Sequence, residues 1–164
     1  MKNQFEIIRF QGTEHLCYKV DEMYVDISNP MLAFTSEDEF EIVKQDKSLL
    51  KKEYEYNGCK VHFVPQIYGN GWPALTLETA EDGELYTVLS VNLEDMDAIG
   101  LPDRTFIDTN NNPEAMEFLV SNGLATDTGY KRSSGWVEYP MARLNLPLLF
   151  QHGPKAFQHA NITP

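Results

Sequence analysis

No apolar run of about 18 residues occurs in the chain, so the sequence offers no membrane-spanning helix. Cysteine is scarce. Cys17 and Cys59 are the only two, too few for a disulfide framework, and both sit among strand-forming residues where buried free thiols are common. No G-x-S-x-G, Walker loop, G-x-G-x-x-G or H-E-x-x-H motif is present. The opening MKNQFEIIRF carries an acid at Glu6 and a strand-like rhythm instead of the long apolar segment of a signal peptide. Cytoplasmic residence is the expectation.

Basic residues are also few. Lys and Arg number 13 against 25 Asp and Glu, a net charge of −12. Residues 1–124 hold 23 acids against 9 bases, and residues 125–164 hold 2 acids against 4 bases. An acidic body repels phosphate, which argues against direct nucleic-acid binding. It suits a solvated surface, or alternatively a surface that mimics nucleic acid and fills a basic cleft on another protein.

What is present suits an ordered domain. Apolar residues make up 42% and aromatics 12% of 164 residues, enough to bury a core. Residues 4–10, 15–20 and Met23–Ile27 predict three short strands. Ser36 with Glu39 has the spacing of a capping box. Acids near its start and lysines further on then predict a helix over 36–50. Cys59–Ile67, 73–79 and Leu85–Leu93 alternate as strands, with turns at Asn70-Gly71 and Asp82-Gly83. Leu101-Pro102 leads out of the sheet. Asn112 is placed to cap a helix at Glu114–Asn122, with Pro113 at its first position and Gly123 at its end. A polar loop and a short strand at Trp136–Tyr139 follow. The fold class expected is α+β: a twisted antiparallel sheet with a meander core, packed by two helices. It forms a single domain over 1–148, followed by an irregular tail over 149–164 that carries Pro154 and Pro164.

Candidate chemistry is sparse. Asp108-Thr-Asn110-Asn-Asn112 begins like a calcium loop, but Pro113 and Leu119 stand where Gly and a bidentate Glu belong. A turn with Asx hydrogen bonds is the better account. His15 and Cys17 share a strand face, but two ligands do not make a zinc site. Cys59 and His62 face opposite sides, and His152 and His159 align only if the tail is helical. No metal and no cofactor are expected. The most interesting local site is Tyr130-Lys131-Arg132-Ser133-Ser134-Gly135-Trp136. Its two cations, two hydroxyls, glycine and two aromatics could hold a phosphate or a nucleobase. Alternatively it is a turn whose Trp136 packs at the sheet edge.

Four stretches carry a family resemblance. They are the N-G-W at Asn70–Trp72, DGELYTVLSVNL at 82–93, LPDRTFIDTNNNPEAMEFLVSNGL at 101–124, and SSGWVEYPMARLNL at 133–146. Over residues 55–148 the chain resembles a domain-of-unknown-function family of gut bacteria, often found on plasmids and integrative conjugative elements. The resemblance implies a bacterial cytoplasmic accessory protein of a mobile element and transfers no catalytic residues. The expected function is therefore non-enzymatic, through binding of a protein partner. The alternative is a small-ligand or nucleotide-binding domain, possibly an enzyme, using Tyr130, Lys131, Arg132, Ser133, Ser134 and Trp136. The partner's identity and the oligomeric state are open at this stage.

Overall fold

The computed structural model describes residues 4–69, 71–93 and 103–158. Strands β1 (Phe5–Phe10), β2 (Thr13–Val20) and β3 (Met23–Asp26) pair in sequence order as the sequence predicts. Gln11 and Gly12 both take positive φ, as a two-residue hairpin turn requires. Strands β4 (Ala33–Phe34) and β5 (Glu41–Val43) complete a five-stranded antiparallel sheet in the order β4-β3-β2-β1-β5.

β5 lies where a helix over 36–50 was expected. A capping-type turn does form, one residue earlier: the Thr35 N–H donates to Asp38, and the Glu37 N–H donates to the Thr35 hydroxyl. No helix grows from it. Ile42 and Val43 instead pair with the free edge of β1, and Arg9 bonds Glu41 at 3.1 Å. Two β-branched residues facing an unsatisfied strand edge outweigh local helix signals. Only a 3-10 helix at Lys47–Lys51 remains of the expected element, capped by Asp46.

Strands β6 (Glu53–Tyr56), β7 (Cys59–Ile67), β8 (Pro73–Thr79) and β9 (Leu85–Val88) form the expected meander, adjacent in sequence order. Gly83 takes positive φ at the expected Asp82-Gly83 turn. The expected turn residue Asn70, and Leu101-Pro102, lie outside the described residues. The alternation over 85–93 does not make one strand. Leu85 is 65% exposed, whereas Leu89 is buried. The chain changes sheets at Leu89, whose N–H donates to Leu75 and whose carbonyl accepts from Asp108.

β10 (Ser90–Val91), β11 (Arg104–Ile107), β12 (Ala125–Ser134) and β13 (Val137–Leu144) make the third sheet, in the order β10-β11-β13-β12. Helix α1 (Ala115–Ser121) connects β11 to β12. Its C-terminus is the expected Schellman motif. Leu124 N–H donates to Leu119, Gly123 N–H donates to Val120, and both leucines are buried. Its N-terminus differs from expectation: the helix begins at Ala115, and no side chain caps it. Asn112 turns away to fasten α1 to the meander. Its Oδ1 accepts from the Thr87 hydroxyl at 3.0 Å, and its Nδ2 donates to the Val88 carbonyl at 3.0 Å. The Asx-turn part of the expectation holds, since Asp108 accepts from the Asn111 N–H. Asn112→Ala should therefore cost about 1–2 kcal/mol, because two half-buried partners on the meander are left unpaired. A double-mutant cycle with Thr87→Val, read by urea unfolding, checks the cross-link. Additive losses would show that it carries no energy.

As far as residue 158, where the described residues end, the expected irregular tail is helical. Helices α2 (Leu146–His152) and α3 (Pro154–Gln158) follow β13 directly. The prolines explain the error. Pro147 and Pro154 stand in first turns, where a missing N–H costs nothing. Asn145 caps α2 by accepting from the Leu148 N–H. Leu149, Phe150 and Phe157 enter one core with Phe5, Leu16, Phe63 and Leu119, so that core draws on every sheet and on the chain's last described helix. Among the described residues the architecture is thus three antiparallel sheets with three short α-helices, where one sheet and two helices were expected. Among the described residues no helix is long and apolar enough to cross a membrane.

Candidate functional site

Residues 130–136 do not form a polar loop. They belong to the longest hairpin in the described structure, β12 with β13. The hairpin contains a bulge where the pairing shifts between Asp127 and Lys131. Gly129 sits there with φ of +81°, and its N–H donates to the Asp127 carboxylate. The Thr128 hydroxyl donates to the Met141 carbonyl and accepts from the Tyr130 N–H. At the tip, Ser134 pairs with Val137, and Gly135 takes the positive φ that lets two residues reverse the chain.

Each candidate residue can be placed on this ribbon. Lys131 and Arg132 are successive strand residues and project to opposite faces, as do Ser133 and Ser134. Lys131 Nζ lies 3.9 Å from Glu138 Oε1. Tyr130 is exposed and approaches the ring of Phe106 at 6.3 Å. Trp136 was expected to be buried if the loop were only a turn. It is fully exposed, at 104% of its reference area. Residues 126–131 are exposed without interruption, so this part of β12 meets solvent on both faces. β12 also ends its sheet, leaving one edge unpaired among the described residues.

A large cleft lies elsewhere. It measures about 980 Å³ between the end of β7, from Val64 to Gly69, and the α2–α3 corner. His152 stands in its wall but is already satisfied. Nδ1–H donates to the Leu148 carbonyl at 2.8 Å, and Nε2 accepts from the Tyr54 hydroxyl at 2.7 Å. That arrangement requires the neutral ring. Burial holds its pKa below the usual histidine value, with Lys52 adding to the effect. Burial likewise raises that of Tyr54. His152 is therefore a packing residue here.

The sequence reading passed over one constellation. His15 and Asp26 lie eleven apart, and His15 Nδ1–H donates to Asp26 Oδ2 at 2.7 Å. The signal was available in the turn. A two-residue reversal at Asp21-Glu22 sets Val20 opposite Met23, hence Cys17 opposite Asp26, with His15 diagonal on the same face. Cys17 itself is no nucleophile. Burial, with a contribution from Asp26, pushes its thiol up to about 12. Among the described residues no group of three or more His, Cys, Asp or Glu could hold a metal ion.

A family model described as a domain of unknown function (DUF4313) matches residues 66–161. The chain belongs to this family. The matched span begins later than the resemblance at 55–148 suggested and runs through α2 and α3, so both helices lie within the family match. The first sheet and most of β7 precede it. No curated protein and no solved structure matches the chain.

Proposed function

We propose that the protein is a non-enzymatic accessory factor that binds a protein partner through the β12–β13 hairpin. The observation that carries this is Trp136, wholly exposed at the tip of a ribbon whose neighbouring strand meets solvent on both faces. An exposed aromatic on a rigid arm is costly to leave in water and is the residue type that dominates protein interfaces. Tyr130 and Lys131 add exposed side chains to the ribbon behind it. The projection of Lys131 and Arg132 to opposite faces argues against a phosphate clamp. The acidic remainder of the chain disfavours nucleic acid as the partner. The two free cysteines, Cys17 and Cys59, suit a reducing compartment, here the bacterial cytoplasm. The role of accessory to a mobile element rests on the sequence resemblance alone.

A photo-crosslinking residue placed at Trp136 tests this in the native bacterium. It should yield one discrete adduct, which disappears when Tyr130, Lys131 and Arg132 are replaced by Ala. The same crosslinker at Lys60, an exposed position in another sheet, should not yield it. No adduct from position 136, or the same adduct from both positions, would remove the hairpin as the docking element.

A further inference from the structure

A second, smaller cavity has chemistry that the hairpin lacks. It measures about 300 Å³ and is bounded by the ends of β2 and β3, by Asp103 and Arg143, and by the turn from β13 into α2. Two oppositely built pairs reach it. On one side Asp26 is buried, and both its oxygens are occupied. Oδ1 accepts from the Ser28 N–H and hydroxyl and from the Asn29 N–H, while Oδ2 accepts from His15. A carboxylate held in this way cannot swing, so it fixes the plane and the tautomer of His15. The His15 Nε2 is then left without a partner among the described residues, although the ring is only partly buried.

On the other side Arg143 stands directly across the strand pairing from Arg104. Like charges so placed repel. Asp103, buried between them, compensates the pair. Its Oδ2 lies 3.3 Å from Arg143 Nε, and its Oδ1 lies 3.9 Å from Arg104 Nε. Only Nε of Arg143 is engaged. Its terminal N–H fork has no partner among the described residues, and the side chain is 62% exposed.

The charges of Asp26, Asp103, Arg143 and the neighbouring Arg104 cancel, and Glu14, which also lines the cavity, is ion-paired to Arg9 at 2.9 Å. The free donors that remain are the Arg143 fork and, when it carries a second proton, His15. A planar two-nitrogen fork matches the two oxygens of a carboxylate. The volume suits a metabolite-sized molecule. We propose that this cavity binds a small carboxylate, ion-paired to the terminal nitrogens of Arg143 and hydrogen-bonded to Nε2 of His15. Asp26 and Asp103 act as positioning residues, each holding one of the two contact groups. The site lies at the base of the β12–β13 hairpin, away from its tip at Trp136, and its occupation does not require a protein partner.

Acetate is the probe, at fixed ionic strength, with methylammonium as the cationic control. Acetate should shift the His15 ring and Arg143 side-chain NMR signals saturably, whereas methylammonium should not. Arg143→Gln should weaken acetate binding at least about tenfold, since a charge-assisted pair is lost. His15→Gln keeps a donor towards Asp26 and should weaken it less. Circular dichroism shows whether each variant remains folded; Arg143 is exposed enough to be replaced without loss of packing. Unshifted His15 and Arg143 signals, shifts equalled by methylammonium, or undiminished binding in folded Arg143→Gln would each overturn the proposal.

Discussion

Phe157→Ala should destabilise the protein by about 3–5 kcal/mol, a fall in melting temperature of roughly 10 °C for a chain of this size. Phe157 lies near the C-terminus, where a truncation would usually be thought harmless, yet it is 1% exposed. Its ring meets Phe5 at 6.4 Å and Phe150 at 5.8 Å, both edge-on. This trio joins the first strand of the chain to its last described helix. Removing one ring loses its transfer energy and leaves a cavity that β1 cannot collapse to fill, since β1 is held between β2 and β5. Urea unfolding followed by fluorescence or circular dichroism measures the loss. A cost below about 1 kcal/mol would show that α3 is peripheral and that the expectation of an irregular tail was sound.

His152→Ala should cost about 3 kcal/mol near neutral pH and should also flatten the pH dependence of stability. The substitution leaves the Tyr54 hydroxyl and the Leu148 carbonyl without the ring that satisfied both. It also vacates the space against Phe63, whose ring meets the imidazole edge-on at 5.5 Å. The pH effect follows from the direction of the shift. Burial lowers the folded-state pKa of His152 below the usual histidine value, so the unfolded chain takes up a proton first as pH falls. The stability that the neutral ring contributes is fully present above about pH 6.5. It is lost progressively below that, with a slope of at most about 1.4 kcal/mol per pH unit for one proton. Thermal melts between pH 7.5 and 5 should show the unmodified protein losing stability faster than the variant across pH 6.5 to 5. Parallel profiles would mean that the ring is charged in the folded state, and the Tyr54 bond would then have to be reassigned.

Local patterns in the sequence accounted for those elements whose energies are themselves local. The turn at Asp82-Gly83 was legible because glycine tolerates the positive φ that it requires. The meander from Cys59 was legible because alternating residues such as Val61 and Phe63 bury one face. The Schellman end of α1 at Gly123 was legible for the same reason as that turn. The net charge of −12 and the family kinship also stood in the sequence.

Competition between distant partners decided the rest. Residues 36–43 carried helix signals worth a few tenths of a kcal/mol each, and the open edge of β1 offered paired hydrogen bonds that outweighed them. Asn112 had the position of a cap, but Thr87 and Val88 lay close enough to claim both ends of its amide. β12 shows no hydrophobic alternation because neither of its faces is buried over residues 126–131, and that alternation is the main trace a strand leaves in a sequence. Pro147 and Pro154 break a helix in one register and start it in another, and only packing against Phe5 and Phe63 selects the register. The meeting of Arg143 with Asp103, 40 residues away and just before the paired strand β11, belongs to the same class: strand order is a property of the whole sheet, not of either segment alone.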